Sequence, residues 1–306
     1  MSFPTLDAIS IIYEKSTNTQ ITRHRITEPV FGNFCISVDQ FDRLLADLAN
    51  EEYWRQFMLP LKRIRFGLCA APFTQQYKTD RITDTLEDLR NHIQLCHKIY
   101  PQHTDGALAV LQHLEKVAEE SADPLLEKLI ELSPTGHSVA WVVKESRLIQ
   151  DVETLVSSLN LDHVRVIHPL QLKGEDCYDH LIVVGPSRWF PDSVFTAPRS
   201  KNIHIVIFDW IKDRWKPQDV FNQPYKSSGP LNRKLVSEAQ VDRSKWERLD
   251  PSSLLIVVDK AATIQSALGK QQDDEFDNVE AVCAFLEGDW VVFIDAGDGS
   301  KTLIID

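Results

Sequence analysis

Hydrophobic residues follow two different periods along the chain, and the change comes near residue 135. Before it, apolar residues recur at every third or fourth position, as in Leu86, Leu89 and Ile93, which is typical of amphipathic helices. Asp123 followed by Pro124 predicts another helix start, because aspartate is a favoured N-cap and proline fits the first helical turn. We therefore expect residues 1–122 to form a mainly helical N-terminal region.

Three local patterns refine this expectation. The run ITRHRIT at 21–27 is a strand candidate within the mostly helical part. Ser37 with Gln40 resembles a capping box and predicts a helix start, which Pro60 is expected to end. The apolar run that includes residues 63–73 is expected to form a short buried strand.

After residue 135 the pattern alternates between short apolar runs and helical segments. The runs SVAWVV, VRVIH, LIVVG and IHIVIF predict strands at 138–143, 164–168, 181–185 and 203–208. A helix is expected at 146–158, and such alternation favours a mainly parallel sheet covered by helices. The sequence thus predicts an α/β fold, with an α/β lobe over 123–270 that carries a basic insert at 209–250. Three short strands over 278–306 predict a small antiparallel β unit at the C-terminus.

Basic and aromatic residues follow two of these predicted strands. In open α/β sheets, ligands bind outside the carboxyl ends of the strands. If strands 181–185 and 203–208 are parallel, the residues after them meet at one edge. Positive charge with aromatic faces suits single-stranded nucleic acid, and it suits an acidic protein partner equally well. The candidate binding residues are Arg188, Trp189, Arg199, Lys201, Trp210, Lys212, Arg214 and Trp215.

Two carboxylates, Asp209 and Asp259, also close apolar strands. Carboxylates at such positions bind ligands or metals, but they equally cap a helix or pair with a neighbouring cation such as Arg214 or Lys260. The second interpretation is favoured, so no metal, cofactor or catalytic residue is assigned from the sequence.

Charge is unevenly distributed along the chain. The formal net charge is −12, yet residues 186–247 hold 11 Lys and Arg against 7 Asp and Glu, whereas residues 248–306 hold 4 against 12. The basic stretch is a local patch on an acidic protein, which indicates a partner at that place. Five separated cysteines without a C-x-x-C motif favour a reducing, cytoplasmic location. No leader peptide and no membrane association are expected.

The segment LIVVGPSRWFPDSVFTAPRSKNIHIVIFDWIKDRW, with the helix and strand before it, resembles the second RecA-like lobe of superfamily 2 helicases. It is also similar to the helicase-like region of the DrmE proteins of DISARM anti-phage systems, over roughly residues 123–306. The similarity is strongest at Gly185–Trp189, Ala197–Arg199 and Trp210–Arg214. It implies a RecA-like sheet and a bacterial antiviral defence setting, with a protein partner in a defence complex.

The sequence departs from a helicase in one decisive respect. It contains no G-x-x-x-x-G-K-[ST] motif, which supplies the phosphate-binding loop and its lysine. We therefore expect a non-catalytic accessory subunit that binds nucleic acid or a partner motor protein. The alternatives are a nuclease, half of an ATP site that a partner chain completes, or an assembly scaffold.

Overall fold

The computed structural model describes residues 19–49, 51–73, 75–173, 176–196, 199–213, 235–237, 249–255, 281–285, 291–295 and 302–304 of the 306-residue chain. The chain divides into two compact units, Met1–Ile256 and Val257–Asp306. None of the helices in these ranges is long and apolar enough to cross a membrane.

The first unit is built on a parallel sheet. Its strands are β1 (Gln20–Ile26), β2 (Val139–Val142), β3 (Val164–Ile167), β4 (Tyr178–Val184), β5 (Ser200–Phe208) and the short β6 (Leu235–Ser237). They lie in the order β3-β2-β4-β5-β1-β6, and every neighbouring pair is parallel. The prediction of an α/β fold with the four strands 138–143, 164–168, 181–185 and 203–208 in one parallel sheet is confirmed.

Strand β1 shows that the N-terminal region contributes to this sheet. It pairs with β5 along its whole length, from Gln20 opposite Asn202 to Ile26 opposite Phe208. The run ITRHRIT is therefore a strand, as its composition predicts.

Helices cover the sheet, because strands buried on both faces need apolar partners on each side. The N-terminal helices are α1 (Pro29–Leu44), α2 (Glu52–Ala70), α3 (Gln75–Ile99) and α4 (Thr104–Glu119). They are followed by α5 (Pro124–Glu131), α6 (Ile149–Ser158) and the short α7 (Ser193–Thr196) and α8 (Pro251–Leu254). Helix α4 packs against α1 and α3, α5 packs on β1 and β5, and α6 packs along β3. Short 3-10 turns lie at Ala46–Leu48, Pro101–His103, Ser146–Leu148, Pro169–Lys173 and Ser187–Trp189.

Helix caps explain two of the helix starts. Glu28 accepts a hydrogen bond from the backbone N–H of Phe31 at 3.1 Å, with Pro29 in the first turn of α1. Asp123 accepts one from the N–H of Leu126 at 2.9 Å, which confirms the helix start predicted at Asp123 and Pro124.

Two local predictions in the helical part are wrong. Helix α1 begins at Pro29 rather than at Ser37, and Pro60 lies inside α2 rather than at a helix end. Residues 63–70 belong to that helix and form no strand. An interior proline costs roughly 3 kcal/mol, but α2 buries Trp54, Phe57 and Leu61 on its inner face, and the burial of three large side chains outweighs that cost.

In the second unit, three strands pair antiparallel in the order β7-β8-β9: β7 (Ala281–Phe285), β8 (Val291–Asp295) and β9 (Thr302–Ile304).

Candidate anion-binding edge of the sheet

Three cationic residues lie just beyond the carboxyl ends of neighbouring strands in the sheet. Strands β2, β4 and β5 are adjacent and parallel, so their carboxyl ends lie side by side. Arg147 follows β2, Arg188 follows β4 and Lys212 follows β5, and all three are exposed. Neighbouring strands are about 4.8 Å apart, so the three strand ends span about 10 Å. We call Arg147, Arg188 and Lys212 the carboxyl-edge surface.

The structure brings the two predicted cations Arg188 and Lys212 close to the same carboxylate. Hydrogen bonds from Ser252 lower the pKa of Asp250, and the positive charges of Arg188 and Lys212 lower it further. A backbone hydrogen bond holds Lys212 beside the segment that contains Asp250, since the N–H of Lys212 donates to the carbonyl of Leu249 at 2.8 Å. Two cations that are separated in sequence therefore share one end of the sheet.

Arg147 is a member that the sequence interpretation missed. Its guanidinium pairs with Glu145 at the surface. The signal was available, because Arg147 follows the apolar run SVAWVV in the same way that Arg188 follows LIVVG. The strand-end argument applied to β4 and β5 applies equally to β2.

Trp189 does not face solvent. It is 2% exposed, its indole N–H donates to the carbonyl of Pro251 at 3.1 Å, and its ring lies 5.1 Å from that of Phe66 on α2. The ring also covers Gly185, where a Cβ atom would come within 2.7 Å of it. Trp189 is thus a packing residue of the strand end, and the expected stacking on a base does not fit its position.

Trp210 is buried in the same way. It is 1% exposed and stacks on Phe208 with ring centroids 5.3 Å apart, while Phe31 of α1 meets it edge-on at 5.6 Å. Its indole closes the core between α1 and the end of β5, so it too is not placed to contact a base.

Asp209 is a structural carboxylate. It is buried, and the hydroxyl of Thr27 donates to it at 2.8 Å, which joins the ends of β1 and β5. Among the described ranges, no group of three or more His, Cys, Asp or Glu side chains is arranged to hold a metal. Asp259 lies outside the described residues, as do Arg214 and Trp215.

Arg199 and Lys201 are placed at the opposite edge. They lie at the amino end of β5, whereas Lys212 follows its carboxyl end. A strand rises about 3.3 Å per residue, so Lys201 is about 23 Å from the carboxyl end of β5. The predicted set of binding residues is therefore divided between two edges of the sheet.

A row of histidines crosses three neighbouring strands. Nε2 of His24 on β1 lies 3.1 Å from Nδ1 of His204 on β5, and Nε2 of His204 lies 3.2 Å from Nδ1 of His180 on β4. His137 stands edge-on to His180 at 5.4 Å and close to Asp179 at the surface. Each hydrogen bond needs one protonated and one bare nitrogen, so neutral imidazoles with aligned tautomers satisfy the row.

The environment lowers the pKa of two histidines in this row. Burial, together with the neighbouring charges of His24, His180 and Lys128, lowers the pKa of His204 from its ordinary 6.5 to about 4. Burial also lowers the pKa of His180. The sequence shows a histidine in each of three strands, but their alignment depends on strand order and register, which sequence patterns do not give.

Comparison with known proteins provides no relative. No protein-family profile matches the chain, no curated protein matches its sequence, and no solved structure matches its fold.

Proposed function

We propose that the chain is a non-catalytic accessory subunit that binds single-stranded nucleic acid through the carboxyl-edge surface. The observation that carries this proposal is that the exposed residues Arg147, Arg188 and Lys212 follow the carboxyl ends of three neighbouring strands in a protein whose net charge is −12. An acidic protein as a whole does not attract a polyanion. A local group of exposed cations is therefore the place where a polyanion can bind to it. Parallel sheets bind ligands at this edge.

The binding mode that these residues support is contact with phosphates. Trp189 and Trp210 are buried, so the surface offers guanidinium and ammonium groups rather than stacking platforms. Phosphate contacts fix position without reading sequence. Binding should therefore be weak, sensitive to salt and nearly independent of base sequence.

The proposal includes a cytoplasmic antiviral defence setting. This part of the proposal rests on the similarity to the helicase-like region of DrmE proteins. That similarity is strongest at Gly185–Trp189, which form the turn after β4. In this proposal the parallel sheet is a RecA-like lobe, and the C-terminal strands form a separate small β unit. The lack of a G-x-x-x-x-G-K-[ST] motif supports a non-catalytic role, since a RecA-like lobe without that loop has no lysine for the phosphates of ATP.

Fluorescence anisotropy with a labelled single-stranded oligonucleotide tests the proposal at about 50 mM salt, where phosphate contacts are strong. We expect saturable binding that weakens steeply as salt is raised. Absence of binding at that salt would contradict the proposal and would assign the carboxyl-edge surface to an acidic protein partner.

A further inference from the structure

A cationic cavity lies between helices α2 and α3 and the start of α6. Its volume is about 80 Å³, which is room for several waters or one phosphate group. Four cations and one carboxylate line it, while Ile64, Phe73 and Leu148 contribute apolar walls. The charged residues are Arg63, Lys78, Arg81, Arg147 and Asp151.

Lys78 is the most unusual of these residues. It is only 8% exposed, and it lines both this cavity and a smaller neighbouring one that Glu28 and Asp123 also line. None of the ion pairs between described residues involves Lys78. Its charge interacts with the carboxyl groups of Glu28 and Asp123, although neither forms a direct ion pair with it. A buried ammonium outside a direct ion pair is costly, so the position favours an anion that arrives from outside.

Burial favours the neutral form of both carboxyl groups near Lys78. Burial raises the pKa of Glu28 to about 7, and burial also raises the pKa of Asp123. Both groups additionally accept hydrogen bonds at helix starts, from the N–H groups of Phe31 and Leu126. Near neutral pH, Glu28 is therefore partly protonated and offsets the charge of Lys78 only in part.

The position of the cavity in the fold is one where α/β proteins bind ligands. Strand β2 lies between β3 and β4, and the chain continues from β2 to β3 on one side and from β4 to β5 on the other. Ligands bind at such a reversal of strand order, outside the carboxyl ends. Arg147 and Leu148, which line the cavity, follow the carboxyl end of β2.

We infer that this cavity binds the phosphate group of a small phosphate monoester. The four cations outnumber Asp151 and Glu145, the partner of Arg147, by two, which matches a doubly charged phosphate better than a singly charged carboxylate. Arginine forks fit phosphate oxygens. The apolar walls suit the organic part of the ester. This site goes beyond the proposed nucleic-acid surface, because of the three residues of that surface only Arg147 lines the cavity.

Thermal unfolding with three probes at equal ionic strength tests the inference. Phenyl phosphate carries both the phosphate and an apolar body, inorganic phosphate lacks the body, and benzoate lacks the phosphate. Ligand that binds only the native state raises the melting temperature with its concentration. We expect saturable stabilisation by phenyl phosphate, less by inorganic phosphate and least by benzoate. No saturable stabilisation by phenyl phosphate, or benzoate acting as strongly, would overturn the inference.

Matched variants locate the effect. Lys78→Met keeps most of the length of the side chain and removes the charge, so we expect about tenfold weaker binding of phenyl phosphate. Arg147→Gln changes an exposed residue and serves as the second variant should Lys78→Met not fold; it should also weaken binding. Lys128→Met, which removes a lysine paired with Glu131 outside the cavity, is the control and should bind as the unmodified protein does.

Unchanged affinity in both Lys78→Met and Arg147→Gln would overturn the site. Oligonucleotide binding by Lys78→Met should stay at the level of the unmodified protein, because Lys78 is not part of the carboxyl-edge surface. The two proposals therefore fail separately.

Discussion

The guanidinium of Arg23 donates through Nε to Oδ2 of Asp213 at 3.0 Å, and both side chains are almost completely buried. The hydroxyl of Ser187 donates to the same oxygen at 2.8 Å. One carboxylate thus connects strand β1, the turn after β4 and the segment after β5. Because Ser187 precedes Arg188 and Asp213 follows Lys212, this buried contact fixes these two of the three cations of the carboxyl-edge surface relative to each other.

The first prediction concerns this buried ion pair. Asp213→Ala leaves Arg23 without the carboxylate, and breaking a buried pair from one side costs about 3–5 kcal/mol. The double variant Arg23→Met with Asp213→Ala should recover much of this loss, since it removes both charges. Urea unfolding of the unmodified protein, Arg23→Met, Asp213→Ala and the double variant forms a double-mutant cycle that measures the coupling. As a control, Arg43→Ala removes the exposed partner of Asp39 and should cost less than about 1 kcal/mol.

The second prediction concerns the contact between Gly185 and Trp189. Gly185 has φ of +114°, and an added Cβ would lie 2.7 Å from Cε3 of the Trp189 ring. Gly185→Ala should therefore combine backbone strain with a clash and destabilise by about 2–4 kcal/mol. Gly136→Ala is the matched control, because Gly136 has φ of +85° but no neighbour within 4 Å of an added Cβ. It should cost only about 1 kcal/mol. Equal losses in urea unfolding would show that the ring contact is unimportant.

The third prediction concerns the histidine row in acid. The pKa of His204 is about 4 in the folded protein against an ordinary 6.5, so the native state holds fewer protons than the unfolded state between these values. Its contribution to stability is present above pH 6.5 and is lost as pH falls towards 4, by roughly 3 kcal/mol in total. Unfolding free energies at several pH values should show a weaker acid loss in His204→Asn than in His97→Asn, which replaces an exposed histidine. The same acid slope in both variants would contradict the assignment.

The fourth prediction concerns Glu28, whose pKa shift makes the stability fall as pH rises. Its folded pKa of about 7 is raised above the ordinary 4.5, so the native state holds more protons than the unfolded state in this window. The resulting stability is full below pH 4.5 and is lost as pH rises through 7, by about 1 kcal/mol after allowance for solvent screening. Above pH 6.5 the histidine contribution rises only slightly further, and this change has the opposite sign. Glu28→Gln, which keeps an oxygen to accept from Phe31, should remove the decline between pH 6.5 and 8 in urea unfolding.

Four strands of the sheet were predictable from the sequence because they are short, mostly apolar runs such as LIVVG and IHIVIF. The position of Trp189 at a strand end was predictable as well, but its burial was not. The sequence places Trp189 beside the edge without showing that Gly185 leaves space for its ring. The prediction that Pro60 ends a helix was wrong for a related reason. The cost of proline is a local effect, and it does not include the burial of the apolar residues of α2 on both sides of Pro60.

The candidate site was predictable only in part. Arg188 and Lys212 were expected at one edge, and they share the neighbourhood of Asp250. Lys78 and Arg63 come from helices far away in sequence, and only the packing of α2 and α3 brings them to Arg147. Lys201 was predicted to belong to the same site as Lys212, but it lies at the amino end of β5. A residue that is close to another in sequence can therefore lie at the opposite end of the sheet.

Oligonucleotide affinity over a range of salt concentrations tests the central claim most directly. Two double variants remove the same charge from opposite edges of the sheet: Arg188→Ala with Lys212→Ala, and Arg199→Ala with Lys201→Ala. Each phosphate contact contributes about 0.7 to the slope of log affinity against log salt for a single strand. We predict that the first variant binds more weakly and has a slope lower by about 1.4, while the second keeps the slope of the unmodified protein. Equal effects of the two variants, or no binding by the unmodified protein at about 50 mM salt, would contradict nucleic-acid binding at the carboxyl-edge surface.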